Sequence, residues 1–249
     1  MSLSASSLLE HILYINLENR IDRKKHVLEE FDKLGVLPNV ERVHAVKLEN
    51  GAAGCTLSHI KCLELAKQRN WKNVFICEDD ITFLNPSLFL HQLNLFENSE
   101  YRNQTDVIIA CGNNCPPYKK CSEYCIQVFN SQTSAGYIVM QHYYDTLIRN
   151  MKEGFSQLLR DPTNKPQFAL DMYWKRLQQV DKWYMIIPLT TTQYANHSDI
   201  ENEYKDYTLI MTDYEKNWLL QQRHQMQMQA QSRTPPSFSF GPTMFYTQR

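Results

Sequence analysis

Residues 73–80 read Asn73-Val74-Phe75-Ile76-Cys77-Glu78-Asp79-Asp80, a short strand pattern that runs without a spacer into three consecutive carboxylates. A hydrophobic strand gains nothing in packing from such an ending, because clustered carboxylates repel one another. The arrangement becomes favourable when a divalent cation sits among them. Hard oxygen ligands suit Mg2+ or Mn2+, which commonly bridge protein carboxylates to substrate phosphates. The carboxyl end of a sheet strand is also where open α/β sheets bind ligands. The alternative is a solvated acidic turn.

On both sides of residues 73–80, strand and helix patterns alternate. Upstream, Ile12–Leu17 reads as a buried strand. Asp22–Leu34 reads as an amphipathic helix with Val27, Leu28, Phe31 and Leu34 on one face, closed by Gly35 as a C-cap glycine. Val40–Val46 reads as a second strand, Gly51-Ala52-Ala53-Gly54 as a small-residue turn, and residues 56–69 as a helix with Leu57, Ile60 and Leu63 inward. Downstream, Asn85 and Pro86 open a helix to Phe96 as N-cap and first helical residue. Asp106–Cys111 is a further strand, and Cys125–Phe129 and Ser134–Met140 read as paired strands. His142–Met151 and Phe168–Gln178 look helical, separated by a Pro/Asn loop at Asp161–Pro166, and Trp183–Ile187 is a late strand ended by Pro188. This order predicts an α/β sheet with parallel pairs. Residues 1–10 are expected to be a flexible N-terminus and residues 11–220 one domain. The Gln/Pro-rich residues 221–249 are expected to be a disordered or surface-draped tail, the early Gln run being able to extend a helix from Tyr214–Leu220.

Composition narrows the function classes. The 249 residues carry 26 Lys+Arg against 27 Asp+Glu, a formal net charge of -1, which argues against nucleic-acid or membrane binding by Coulomb attraction. With 43% hydrophobic and 12% aromatic residues the chain has ample surface to bury, and 7 Gly exclude a collagen-like chain. No apolar run approaches the roughly 20 residues of a membrane helix. The Ser-rich start lacks a basic residue and is not read as a signal peptide, so the expected location is the cytoplasm.

Cys55, Cys62 and Cys77 sit in apolar patterns and read as core thiols. Cys111, Cys115, Cys121 and Cys125 cluster in what reads as one loop, where plain thiols, a disulfide pair and a structural zinc all remain open. Gly54-Cys55-Thr56-Leu57-Ser58-His59 reads as a turn-to-helix junction, a place where free N–H groups can meet an anion. No Gly-x-Ser-x-Gly elbow, GxGxxG or Walker A pattern is present, which disfavours serine hydrolase, dinucleotide and P-loop chemistry.

An ordered set of motifs carries a resemblance. Tyr14-Ile15-Asn16-Leu17 with Arg20 and Asp22-Arg23, then Gly54–His59, then Phe75–Asp80, Ser134-Ala135-Gly136-Tyr137-Ile138-Val139, Leu170-Asp171 and His197-Ser198-Asp199-Ile200 together resemble glycosyltransferase family 25. The resemblance spans residues 12–200. That family includes bacterial lipooligosaccharide galactosyltransferases and procollagen hydroxylysine galactosyltransferases. The resemblance implies a GT-A-like, Rossmann-type mixed sheet flanked by helices that binds a nucleotide sugar. It also implies inverting transfer of galactose or glucose from a UDP-sugar to an acceptor hydroxyl, on a glycan or on hydroxylysine of a collagen-like protein, with Mn2+ or Mg2+. Asp80 and Asp79, with His197, would hold the metal. Asn16, Arg20, Arg23, Ser58, His59, Glu78 and Asp79 would line the donor site. Asp171, then Asp199, are the candidates for the general base. No ER-retention signal is read at the C-terminal Tyr-Thr-Gln-Arg, which favours a microbial or viral enzyme, in the latter case in the host cell or virion. The competing readings are a catalytically inactive protein of the same fold that binds sugar nucleotides or plays a structural part, and a metal-assisted phosphohydrolase.

Overall fold

The structure, a computed structural model, describes residues 6–198 and 203–232. Residues up to Glu215 form one unit and residues from Lys216 a second, in which the helix α9 (Asn217–Ser232) is described. α9 contains the Gln-rich run.

The first unit is built on an eight-stranded mixed sheet in the order β2-β1-β3-β8-β5-β9-β7-β6. Its strands are β1 (Ile12–Asn16), β2 (Val40–His44), β3 (Asn73–Glu78), β5 (Val107–Asn114), β6 (Tyr118–Lys120), β7 (Cys125–Val128), β8 (Ser131–Met140) and β9 (Trp183–Ile186). β1 pairs in parallel with both β2 and β3, and β5 in parallel with β9; β8 runs antiparallel between β3 and β5. A separate antiparallel pair joins β4 (Ile81–Phe83) to β10 (Thr191–Gln193), and another joins β11 (Asn196–Ser198) to β12 (Glu203–Lys205).

Helices cover both faces. Alternation along each strand divides the core, since successive side chains point to opposite sides. Ile12, Tyr14 and Phe75 meet α1 (Ile21–Lys33) and α3 (Pro86–Glu97) through Val27, Phe31, Phe89, Leu93 and Phe96. Leu13, Ile15, Val74 and Ile76 meet α2 (Gly51–Gln68) and α4 (Tyr144–Arg160) through Ile60, Leu63, Leu147 and Met151. Trp174 and Trp183 are fully buried on that second face, their rings 5.2 Å apart and edge to face. The expected α/β class and helix-flanked mixed sheet are therefore found, and the Asn85–Pro86 start of α3 is capped as read, Asn85 Oδ1 accepting from Leu88 N at 3.1 Å.

Four expectations are corrected. Gly51–Gly54 is not a turn but the first turn of α2, capped by Asn50, whose Oδ1 accepts from Ala53 N at 3.2 Å. Ser58 and His59 consequently lie two turns inside the helix, away from its free N–H groups. β7 and β8 are not neighbours, because β5 and β9 lie between them. The region 168–178 is not one helix; α5 (Lys165–Phe168), α6 (Leu170–Tyr173) and α7 (Lys175–Gln178) are short pieces, with Ala169 in extended backbone between the first two. Cys111 is not in a loop but buried within β5, and all seven cysteines are free thiols. After β10 a further short helix, α8 (Thr208–Met211), closes the unit.

Candidate active site

The chain leaves β1 through α1 to β2 on one side, and then passes through α2 to β3 on the other. The connections diverge onto opposite faces at the carboxyl ends of β1 and β3, and open α/β sheets take ligands at such a point. Asn16 ends β1 and Glu78 ends β3. Asp79 and Asp80 follow directly and are each 6% exposed, so they are not the solvated turn of the alternative reading.

A small polar network holds these two carboxylates. Asn16 Nδ2 donates to Asp79 Oδ2 at 2.7 Å and to the Arg20 carbonyl at 3.0 Å, while its Oδ1 accepts from Arg42 Nε at 3.0 Å. Arg23 Nη1 donates to both Asp79 Oδ1 (3.1 Å) and Asp80 Oδ2 (3.2 Å). Gln193 Nε2 donates to Asp80 Oδ1 at 3.2 Å, and Tyr194 N donates to the Asp80 carbonyl at 2.6 Å. Burial, reinforced by the charge of Glu78, pushes the Asp80 carboxyl up to about 7. Burial also raises Asp79, against the opposing pull of Arg23.

Glu78 faces a different set of groups. Ser134 Oγ donates to Glu78 Oε1 at 2.6 Å, and His59 Nε2 lies 3.7 Å from the same oxygen. Burial raises this carboxyl, but His59 and Ser134 outweigh it, so the group titrates below its ordinary value. Asp171 lies in α6 and accepts from Thr133 N at 2.9 Å; burial raises it, and Glu78 adds to the effect. The negative charges of Glu78, Asp171 and Asp80 all reach the Cys55 thiol, which burial first raises well above its usual range. Glu78, Asp80, Asp171, His59 and Cys55 are thus one electrostatic neighbourhood.

The other residues singled out in the sequence are placed as follows. Arg20 turns to Asp22, with Nε at 3.1 Å from Oδ1 and Nη2 at 2.9 Å from Oδ2. The Ser58 hydroxyl donates to the Gly54 carbonyl and accepts from Val46 N, both at 2.8 Å, which locks α2 to the strand-to-helix connection. His197 lies in β11 opposite Tyr204, and Asp199 lies outside the described residues. Conversely, Gln193, Arg42 and Ser134 belong to the site without having been singled out as site residues. Beside Asp80, Tyr194 stacks on His26 with ring centroids 4.4 Å apart, over a shallow cavity of about 250 Å³ that Asp22, Lys25 and Glu29 also line.

The donors around Asp80 fit a hard divalent cation. Two nearly buried carboxylates are bridged by one guanidinium, an all-oxygen pair of the kind that Mg2+ and Mn2+ take as ligands.

Comparison with known proteins finds similarity to glycosyltransferases. Residues 38–157 match the family model described as Glycosyltransferase family 25 (LPS biosynthesis protein). A protein of Haemophilus influenzae named "Putative glycosyltransferase" is 32% identical over 92 residues, covering 29% of this chain and 33% of its own length. The chain therefore spans about a third of that relative. Among solved structures, similarity is found to a glycosyltransferase involved in the glycosylation of the major capsid of PBCV-1. The TM-score is 0.48 and the identity 8%, over 77% of this chain and 95% of that one. UDP-glucose pyrophosphorylase complexed with UDP-glucose is also similar, with a TM-score of 0.41 and 9% identity over 71% of this chain and 72% of that one. The family match covers α2, β3 and the Glu78-Asp79-Asp80 run, so the part of the chain that carries these residues is similar to glycosyltransferase family 25.

Proposed function

We propose that this protein is a metal-dependent, inverting glycosyltransferase that moves galactose or glucose from a UDP-sugar to the hydroxyl of a glycan or protein acceptor. The observation that carries this reading is the buried Asp79–Asp80 pair at the carboxyl ends of the neighbouring strands β1 and β3.

In this mechanism Asp80 and Asp79, together with His197, would hold Mn2+ or Mg2+. When bound, the ion neutralises charge developing on the departing diphosphate. Arg23, aligned on both carboxylates, lies where a planar guanidinium suits a phosphate. Asn16 and Arg42 fix the orientation of Asp79. Asp171 takes the proton from the acceptor hydroxyl as its oxygen forms the bond to the anomeric carbon. The bond from that carbon to the diphosphate breaks, and UDP leaves with the electron pair. Burial raises Asp171 and so makes it a stronger proton acceptor than an exposed carboxylate.

The test is a donor screen by thermal shift with Mn2+ and UDP-galactose, UDP-glucose, UDP-N-acetylglucosamine and GDP-sugars. Selective stabilisation by a UDP-hexose that Asp80→Asn abolishes is the expected result. No stabilisation by any donor in the wild-type protein overturns the reading. Donor binding without hydrolysis or transfer would instead establish an inactive nucleotide-sugar-binding protein.

A further inference from the structure

Cys55 and His59 lie four residues apart on α2 and so share one of its faces. That face meets the end of β3, and the ligand atoms of Cys55, His59 and Glu78 all fall within 4.8 Å of one another. His59 is fully buried, yet its Nε2 has no hydrogen-bond partner. Leaving a buried ring nitrogen unsatisfied is destabilising, so the position calls for a partner.

The spacing indicates what that partner is. His59 Nε2 and Glu78 Oε1 are 3.7 Å apart, too far for a hydrogen bond. Two such ligands on one tetrahedral zinc, with bonds of about 2.0–2.2 Å, stand roughly 3.4 Å apart. The surrounding contacts fit the same purpose. His59 Nδ1 lies 2.8 Å from the Tyr137 hydroxyl, and with Nδ1–H donating to that oxygen, Nε2 presents its lone pair to the gap. Ser134 Oγ donates to Glu78 Oε1 and fixes the carboxylate. Metal-binding histidines and carboxylates are characteristically oriented in this way by a second ring of hydrogen bonds. Cys55 and Glu78 are half-buried, which leaves a route for an ion to enter.

We propose that Cys55, His59 and Glu78 form a cation site distinct from the Asp79–Asp80 pair, selective for a borderline-soft divalent ion of the zinc class. A thiolate and an imidazole favour zinc or cobalt over magnesium, calcium or manganese, which prefer all-oxygen shells. Three protein ligands leave a fourth position for water or another oxygen ligand. Bound there, the ion ties α2 to the end of β3 and offsets the charge of Glu78 within the shared electrostatic neighbourhood. The site stands whether or not the glycosyltransferase reading does, since it requires no donor sugar.

Co2+ titration of the reduced, full-length protein tests it. The expected result is one Co2+ per chain, with a thiolate-to-cobalt charge-transfer band and visible bands of a tetrahedral ion, displaced by Zn2+. Cys55→Ser should remove the charge-transfer band and weaken Co2+ binding by more than about tenfold. Tyr137→Phe, which keeps all three ligands, should retain the band and weaken binding less. Asp80→Asn should leave the band in place while abolishing Mn2+-dependent donor stabilisation, which separates the two sites. Absence of a thiolate band in the wild-type protein at saturating Co2+, or its persistence in Cys55→Ser, overturns the proposal.

Discussion

Gly54 lies so close to the carbonyl oxygen of Val46 that a Cβ at position 54 would overlap it. The contact sets the distance between α2 and the connection from β2, and the Ser58 hydroxyl closes the same junction by bridging the Gly54 carbonyl and Val46 N. Gly54→Ala must push helix and connection apart. It is expected to lower stability by about 1–3 kcal/mol, the usual cost of forcing extra volume into a packed contact. Urea unfolding monitored by circular dichroism measures this; an unchanged midpoint would show that the junction yields freely.

Arg23 is the cation common to Asp79 and Asp80, and its side chain is only 12% exposed. Arg23→Gln removes that charge from two nearly buried carboxylates. The metal-free protein is expected to lose about 3 kcal/mol, as when one partner of a buried ion pair is deleted. Mn2+ should restore much of the loss, because a ligand that binds only the folded state stabilises it in proportion to its occupancy. Thermal melts with and without Mn2+ check both halves of this expectation.

The Asp80 carboxyl titrates near 7 rather than at its ordinary 3.8. The folded protein therefore holds this proton more tightly than the unfolded chain does. That contribution to stability is complete below about pH 4 and is lost as pH rises through 7. Glu78 acts in the opposite sense and at lower pH, its lowered value contributing stability that disappears on acidification. In metal-free protein the difference in stability between wild type and Asp80→Asn should therefore change between pH 4 and 7 in the direction that favours the variant at the alkaline end. Denaturant midpoints collected across that range measure it, and a pH-independent difference would refute the assignment.

Asp171 is anchored by Thr133 N and raised by burial. Asp171→Asn keeps the shape and the hydrogen-bond acceptor but cannot take a proton. Transfer is expected to fall by about 10²–10⁴-fold with donor affinity unchanged. Initial rates together with donor thermal shifts separate this outcome from a structural defect, which would lower both.

Local patterns carried much of this architecture. The apolar run of β3 and its acidic ending are visible in sequence because strand period and charge change at one residue. Asn85-Pro86 announces α3 because capping is a local matter. The start of α2 was hidden, since Gly51 and Gly54 have poor helix propensity and the use of Gly54 rests on contact with Val46, a tertiary requirement. Sheet order was hidden for a related reason: β9 inserts between β5 and β7, a pairing across many residues that no local window contains. Within the site, the carboxylates and Arg23 were legible as charged residues at strand and helix ends. Gln193, Ser134 and Arg42 were not, because a single polar side chain gains meaning only from the partner that folding places beside it.

Residue 80 is gripped from 113 positions downstream, by the Gln193 side chain and, one residue on, by the Tyr194 backbone. Contacts that distant must wait for the intervening loop to close. On the ribosome, β1, β3 and their carboxylates emerge early, while the segment that clasps them emerges only near the end of the unit. A nascent or prematurely terminated chain thus exposes an acidic pair without its clasp. Assembly of the site becomes a late event in the synthesis of this unit, since residues 193 and 194 must first emerge.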